Sequence, residues 1–242
     1  MSDRSLRERV MSSLGRFLEI SIPTEDVEDS LSFYRRLGFF ELPVGEIRAY
    51  NYAVVSDGSV CLGLHADGVD QLSLSFVKPN IARHSRTFRD LGLELEFERL
   101  ADDEFNEAAV ADPDGHQAFL LEARTFSSSP LEKHHLPLVG PLYCISLSCA
   151  HLESSLEFWE LLGFELADAG PGRRVCIEVS GLRMELREEN RRRPPVLNFR
   201  PSDLQQCLTA LKQQDIDAEL SGDRCDLKAP EGTALVLEEP AP

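Results

Sequence analysis

No apolar run in this sequence reaches the roughly 18 residues that a membrane-crossing helix needs. The opening residues, MSDRSLRERVMSSLG, lack the apolar core of a signal peptide. A cytoplasmic protein is the expectation. Basic residues are scarce, 25 against 42 acidic, for a net charge of −17. A surface of that sign argues against nucleic acid or membrane as partner, because both require Lys and Arg to neutralise phosphate. Arg191, Arg192 and Arg193 form the one concentrated basic run and read as a solvated loop between strands. The six cysteines make no C-x-x-C pair, and in a reducing compartment they read as buried thiols, not disulfides or zinc ligands. The six histidines are scattered, with His65 ending a strand, His84 on a helix, His116 after a turn, His134 and His135 in a linker and His151 opening a helix. None pairs with a second ligand at metal spacing on one element. There is no G-x-G-x-x-G, P-loop lysine, G-x-S-x-G elbow or H-E-x-x-H, so nucleotide, serine-hydrolase and metalloprotease chemistry leave no trace.

What is present is a duplication. Phe17 to Phe39, FLEISIPTEDVEDSLSFYRRLGF, recurs as LYCISLSCAHLESSLEFWELLGF, so that Ser30, Phe33, Leu37, Gly38 and Phe39 match Ser155, Phe158, Leu162, Gly163 and Phe164 at a constant offset of 125. With 242 residues, 42% of them hydrophobic, each half can bury its own core. Alternation over Phe17 to Ile22 predicts a half-buried strand ended by Pro23. Thr24 or Asp26 then caps a helix whose buried stripe is Val27, Leu31, Tyr34 and Leu37, with Gly38 as its stop. Strands over Phe39 to Val44, Ile47 to Val55 and Ser59 to His65 complete a βαβββ unit, the last two joined at Ser56-Asp57-Gly58.

A second unit follows directly: strand Gln71 to Val77, helix Asn80 to Asp90, and strands near Leu93 to Glu98, Phe105 to Ala111 and His116 to Glu122. After the Ser- and Pro-containing stretch Phe126 to Gly140, the order repeats. The expected organisation is an N-terminal helical extension (1–14), a first module (15–125), a linker (126–140) and a second module (141–240). The fold class is α+β, with each module made of two βαβββ units that form a curved mixed sheet with helices on its convex side.

Paired βαβββ units with a D-x-x-x-S-x-x-F-Y helix and an L-G-F exit resemble the vicinal oxygen chelate superfamily, which includes glyoxalase I, bleomycin-resistance proteins and extradiol dioxygenases. Asp26, Ser30, Phe33, Tyr34, Leu37, Gly38, Phe39 and Asp112-Pro113-Asp114-Gly115 carry the resemblance in the first module. In the second it rests on Ser155, Phe158, Trp159, Leu162, Gly163, Phe164 and Pro230-Glu231-Gly232. The resemblance implies a cup whose metal-using members take ligands from the first strand, the strand opening the second unit and the final strand. In this sequence those places fall on Glu19, Ser73 and Phe119, and in the second module on Cys144, Val196 and Val236. Neither set suits a divalent ion that needs imidazole or carboxylate ligands. No metal and no cofactor are therefore expected.

The remaining polar residues support two readings each. Glu19 in an apolar-walled cup would suit a general base or a hydrogen-bond partner, or else it is paired with Arg48 or nearby serines. Ser21, Ser73 and Ser75 form either a ligand-facing wall or a hydrated one. Tyr50 and Tyr52 line a site or pack in the core. Cys144 is a reactive thiol or an inert buried one. The reading that follows is a protein, monomer or homodimer, that binds a small polar molecule without metal, as bleomycin-resistance proteins sequester a ligand, through Glu19, Ser21, Tyr50, Ser73, Ser75 and Phe119. The alternatives are a lyase, isomerase or ring-cleaving dioxygenase using Glu19 or an unrecognised metal site, and a structural or protein-binding duplicate.

Overall fold

The computed structural model describes residues 14–44, 50–101, 106–123, 136–170 and 172–239. The expected N-terminal helix, the strand start at Ile47, Arg48, Phe105, most of the linker, and His134 and His135 lie outside these residues. The first half runs β1 (Arg16–Pro23), α1 (Val27–Arg36), β2 (Phe40–Leu42), β3 (Tyr52–Ser56), β4 (Cys61–His65), β5 (Ser73–Lys78), α2 (Ile81–Asp90), β6 (Leu95–Arg99), β7 (Glu107–Ala111) and β8 (Gln117–Glu122). The second runs β9 (Leu142–Cys149), α3 (Leu152–Leu161), β10 (Glu165–Ala169), β11 (Arg174–Val179), β12 (Leu182–Glu188), β13 (Val196–Phe199), α4 (Leu204–Gln213), β14 (Glu219–Ser221), β15 (Arg224–Lys228) and β16 (Ala234–Glu238). Among the described residues no helix is long and apolar enough to cross a membrane.

These elements build two eight-stranded sheets, ordered β2-β3-β4-β1-β5-β8-β7-β6 and β10-β11-β12-β9-β13-β16-β15-β14. The first strand of a βαβββ quarter pairs in parallel with its last, as β1 does with β4, β5 with β8 and β13 with β16, because the intervening helix crosses over the sheet. The expected stripe of α1 is buried throughout, at Val27, Leu31, Tyr34 and Leu37. Asp26, not Thr24, caps the helix by accepting from the backbone N–H groups of Glu28 and Asp29. One expectation changes: β1 is not half-buried. Glu19 and Ser21 are as enclosed as Ile20 and Ile22, because β1 is a central strand of its sheet.

The chain groups into two compact units, each drawing one βαβββ quarter from either half. The first holds β5, α2 and β6–β8 with α3 and β10–β12; the second holds α1 and β2–β4 with β13, α4 and β14–β16. In the first, Asp112 of the Asp-Pro-Asp-Gly turn accepts from Trp159 Nε1 at 3.1 Å, and Asp114 accepts from Ser155 Oγ at 3.1 Å. In the second, Glu231 of the Pro-Glu-Gly turn accepts from Tyr34 OH at 2.8 Å and from Ser30 Oγ at 2.9 Å. The serine and the aromatic residue sit four apart on one helical face. The turn that closes a hairpin in one half of the sequence thus satisfies the buried polar groups of a helix in the other half.

Lys78, at the end of β5, is buried. Burial lowers its pKa from 10.5 to about 8. His84 on α2 falls to about 4, through burial and then the positive charges of Lys78 and Arg83. Between about pH 8 and 10.5 the folded chain binds fewer protons at Lys78 than the unfolded chain, so stability rises with pH through that window. Below the window the buried charge costs on the order of 1–2 kcal/mol, since solvent screens part of it. Lys78→Met is expected to raise stability at pH 7 by up to that amount in urea unfolding, and to lose the advantage above pH 10.5. It should also move the NMR titration of His84 upward, since one of the charges depressing it is gone.

Candidate functional site

Four of the residues singled out from the sequence lie in the first unit. Glu19 on β1 and Ser73 and Ser75 on β5 are buried, and Phe119 on β8 is half-buried. Strand alternation turns Ser73 and Ser75 away from the face that carries Leu74 and Phe76. The register sets Ser75 directly opposite Phe119, so Ser75, not Ser73, stands level with that ring. Ser73 is 1% exposed, and its hydroxyl finds no hydrogen-bond partner among the described residues.

The second unit holds Ser21, buried on β1, and Tyr50, which precedes β3 instead of lying on it. Tyr50 OH and His65 Nδ1 share a hydrogen bond of 3.0 Å, and the Tyr52 ring lies 4.6 Å from the imidazole. The two tyrosines therefore gather around His65, a residue the sequence marks only as the end of a strand. Its pairing opposite Tyr52 on β3 is what brings them together. His65 borders an open cavity of about 700 Å³ that is also lined by Thr24, Glu25, Asp26, Asp29, Asp70 and Glu231. Its walls are rich in carboxylates, which suits hydrogen-bond donors and repels anions.

In the second module, Cys144, Asn198 and Val236 stand in one row across β9, β13 and β16, whereas Val196 faces Ser146 and Ala234. Asn198 is the residue that counting along the sequence misses. Its amide nitrogen donates to Ser146 Oγ at 2.9 Å, to Val196 O at 3.1 Å and to Cys144 O at 3.2 Å. The visible signal was the single amide in the apolar strand Val196-Leu197-Asn198-Phe199. Cys144 is buried.

The metal implied by the resemblance would need three donors at the named strand places. A carboxylate at Glu19, a hydroxyl at Ser73 and a benzyl group at Phe119 do not make such a set. Among the described residues no group of three or more His, Cys, Asp and Glu side chains could hold a metal ion.

Two eight-stranded mixed sheets, each made of two βαβββ quarters, give this chain a fold similar to that of solved dioxygenase structures. A variant of homoprotocatechuate 2,3-dioxygenase from Brevibacterium fuscum superposes with a TM-score of 0.64 at 16% identity, over 91% of this chain and 70% of that one. The 2,3-dioxygenase LapB from Pseudomonas sp. KL28 gives 0.63 at 14% identity over 96% of both chains. A catechol 2,3-dioxygenase gives 0.59 at 15% identity over 95% of this chain and 91% of its own. No protein-family model matches the chain, and no curated protein matches it by sequence.

Proposed function

We propose that this protein binds a small polar molecule on the buried polar face of β5, without a metal ion, through Ser73, Ser75, Glu19 and Phe119. The observation that supports the reading is the Ser73 hydroxyl, enclosed on a central strand with no acceptor for its proton among the described residues. A buried hydroxyl in that condition costs roughly 1–3 kcal/mol, and a ligand oxygen at hydrogen-bond distance removes that cost. Ser75 and Phe119, opposite each other in register, add a polar tip and an apolar ring to the same surface. That mix is characteristic of small-molecule sites.

The test is native mass spectrometry of protein purified without chelator, together with elemental analysis. The expected result is a small non-protein mass on the wild type, absent from Ser73→Ala, with no stoichiometric metal. A wild type that carries no adduct, an adduct that Ser73→Ala retains in full, or one equivalent of iron, manganese, nickel or zinc would overturn the reading.

The structural neighbours are dioxygenases, which supports a second reading, a ring-cleaving reaction; in this reading Glu19 acts as its base, or as the base of a lyase or isomerase reaction. Turnover of a catechol that is abolished by Glu19→Ala while the variant keeps its far-ultraviolet dichroism would select it. Turnover unaffected by that substitution would remove Glu19 from the chemistry.

A further inference from the structure

We infer that the β11–β12 hairpin of the first unit binds a small oxyanion, a carboxylate or phosphate group, on the guanidinium of Arg174. In a chain of net charge −17, the stretch 173–193 holds seven arginines against four glutamates. Alternation divides the hairpin by face. Ile177, Leu182, Met184 and Leu186 are buried, with α3 packed against β12. Arg174, Cys176 and Glu178 on β11, and Arg183, Glu185 and Arg187 on β12, share the other face.

The register places Arg174 directly opposite Arg187, Cys176 opposite Glu185 and Glu178 opposite Arg183. Like charges directly opposite one another destabilise a strand pair, so Arg174 and Arg187 need negative charge between them. Glu185, only 6% exposed, supplies one. It accepts from Arg187 Nε at 2.5 Å and also pairs with a terminal nitrogen of the same guanidinium, but it reaches Arg174 only at 3.5 Å. Glu178 is taken by Arg183 at 2.7 Å. Asp168 on β10 faces Cys176, one row away from Arg174.

Among the described residues Arg174 therefore has one long ion pair for a group with five N–H donors, and its Nε is buried without a hydrogen-bond partner there. The guanidinium is seated against Gly170, where a Cβ would meet Nε at 2.6 Å, so glycine leaves room for the fork. With 41% of the side chain exposed, an arriving anion can reach it. The planar fork matches the spacing of carboxylate or phosphate oxygens.

The test is isothermal titration calorimetry of the full chain with malonate and, separately, with inorganic phosphate. Saturable binding of at least one is expected, and which one binds identifies the oxyanion. Arg174→Gln should weaken that binding roughly tenfold to a hundredfold, the loss of one charge-assisted contact. Arg191→Gln, on the exposed loop, should leave it unchanged. Because Glu185 keeps Arg187, Arg174→Gln is expected to stay folded, which thermal unfolding checks. Ser73→Ala should not alter the titration, so this site stands or falls apart from the one on β5. No saturable binding of either anion at millimolar concentration, or binding that Arg174→Gln leaves intact, would overturn the assignment.

Discussion

Replacing Glu231 with alanine is expected to lower unfolding stability by about 3 kcal/mol. The substitution takes a charged acceptor from two donors. Tyr34, fully enclosed under its helix, loses the carboxylate that accepts from its hydroxyl at 2.8 Å, and Ser30 loses its acceptor at 2.9 Å and keeps Thr24 Oγ1. Tyr34→Phe removes one of these donors, so the double variant should be less destabilised than the sum of the singles, as a double-mutant cycle in urea reports. Additive losses would mean that the hydroxyl and the carboxylate do not act on each other. The pair also gives an alkaline signature. Burial, then the negative charge of Glu231 and its hydrogen bond, raise the Tyr34 pKa well above its ordinary value. The folded chain then holds that proton more tightly than the unfolded chain, so stability is fully present below about pH 10 and is lost as pH rises from there. Tyr34→Phe is expected to flatten that limb.

Asp112→Ala should cost more, about 4 kcal/mol, because three donors lose one acceptor group. Asp112 Oδ1 accepts from the backbone N–H of Asp114 at 3.0 Å and of His116 at 2.8 Å, while Oδ2 accepts from the indole of Trp159 at 3.1 Å. Asp112→Asn is the sharper probe. If its amide oxygen keeps the two backbone bonds, its amide nitrogen faces the indole N–H, donor against donor, and Trp159→Phe in the same chain should recover part of the loss. Failure to recover it would place the cost in the turn and not in its contact with α3. Burial raises the Asp112 pKa above 3.8, outweighing the lowering by His116 and by the hydrogen bonds. The folded state therefore holds this proton more tightly, and stability declines as pH rises from 3.8 through the raised value; Asp112→Asn should lose that dependence.

These two carboxylates show why the matched motifs look purely structural in the sequence. Ser-x-x-x-Tyr and Ser-x-x-x-Trp read as helix stripes, and Asp-Pro-Asp-Gly and Pro-Glu-Gly read as hairpin turns. Nothing in either spacing shows that the helix at 27–36 needs the turn near residue 231, or that the helix at 152–161 needs the turn near residue 112. The two units reach the same end with different residues. Where one uses two aspartates for an indole and a hydroxyl, the other has Ala229 in place of Asp112 and uses a single glutamate for a phenol and a hydroxyl. A substitution read within one half would appear conservative or not for the wrong reason.

The candidate sites divide in the same way. The resemblance points to Glu19 and Ser73, and alternation puts Ser21 and Ser75 on the same sides of β1 and β5, because side-chain direction in a strand follows from its period of two. Counting along the chain could not show that Ser75 is level with Phe119 or that Asn198 is level with Cys144 and Val236. Register is a property of two strands, and an offset of two residues leaves the face unchanged while moving the row. The meeting of Tyr50, Tyr52 and His65 was likewise out of reach, since a connection separates the histidine from both rings.

Local chemistry along the chain determined the elements: stripes at helical spacing, alternation, an Asp26 cap and the glycine stops at the L-G-F exits, together with the duplication that orders them into sheets. The tertiary structure alone decided which carboxylate satisfies which helix, which residues share a row, and that an arginine on β11 faces another arginine on β12. Each of those outcomes depends on groups far apart in the sequence being desolvated together. The energy of a buried charge or hydroxyl is set by what surrounds it in space, not by its neighbours along the chain.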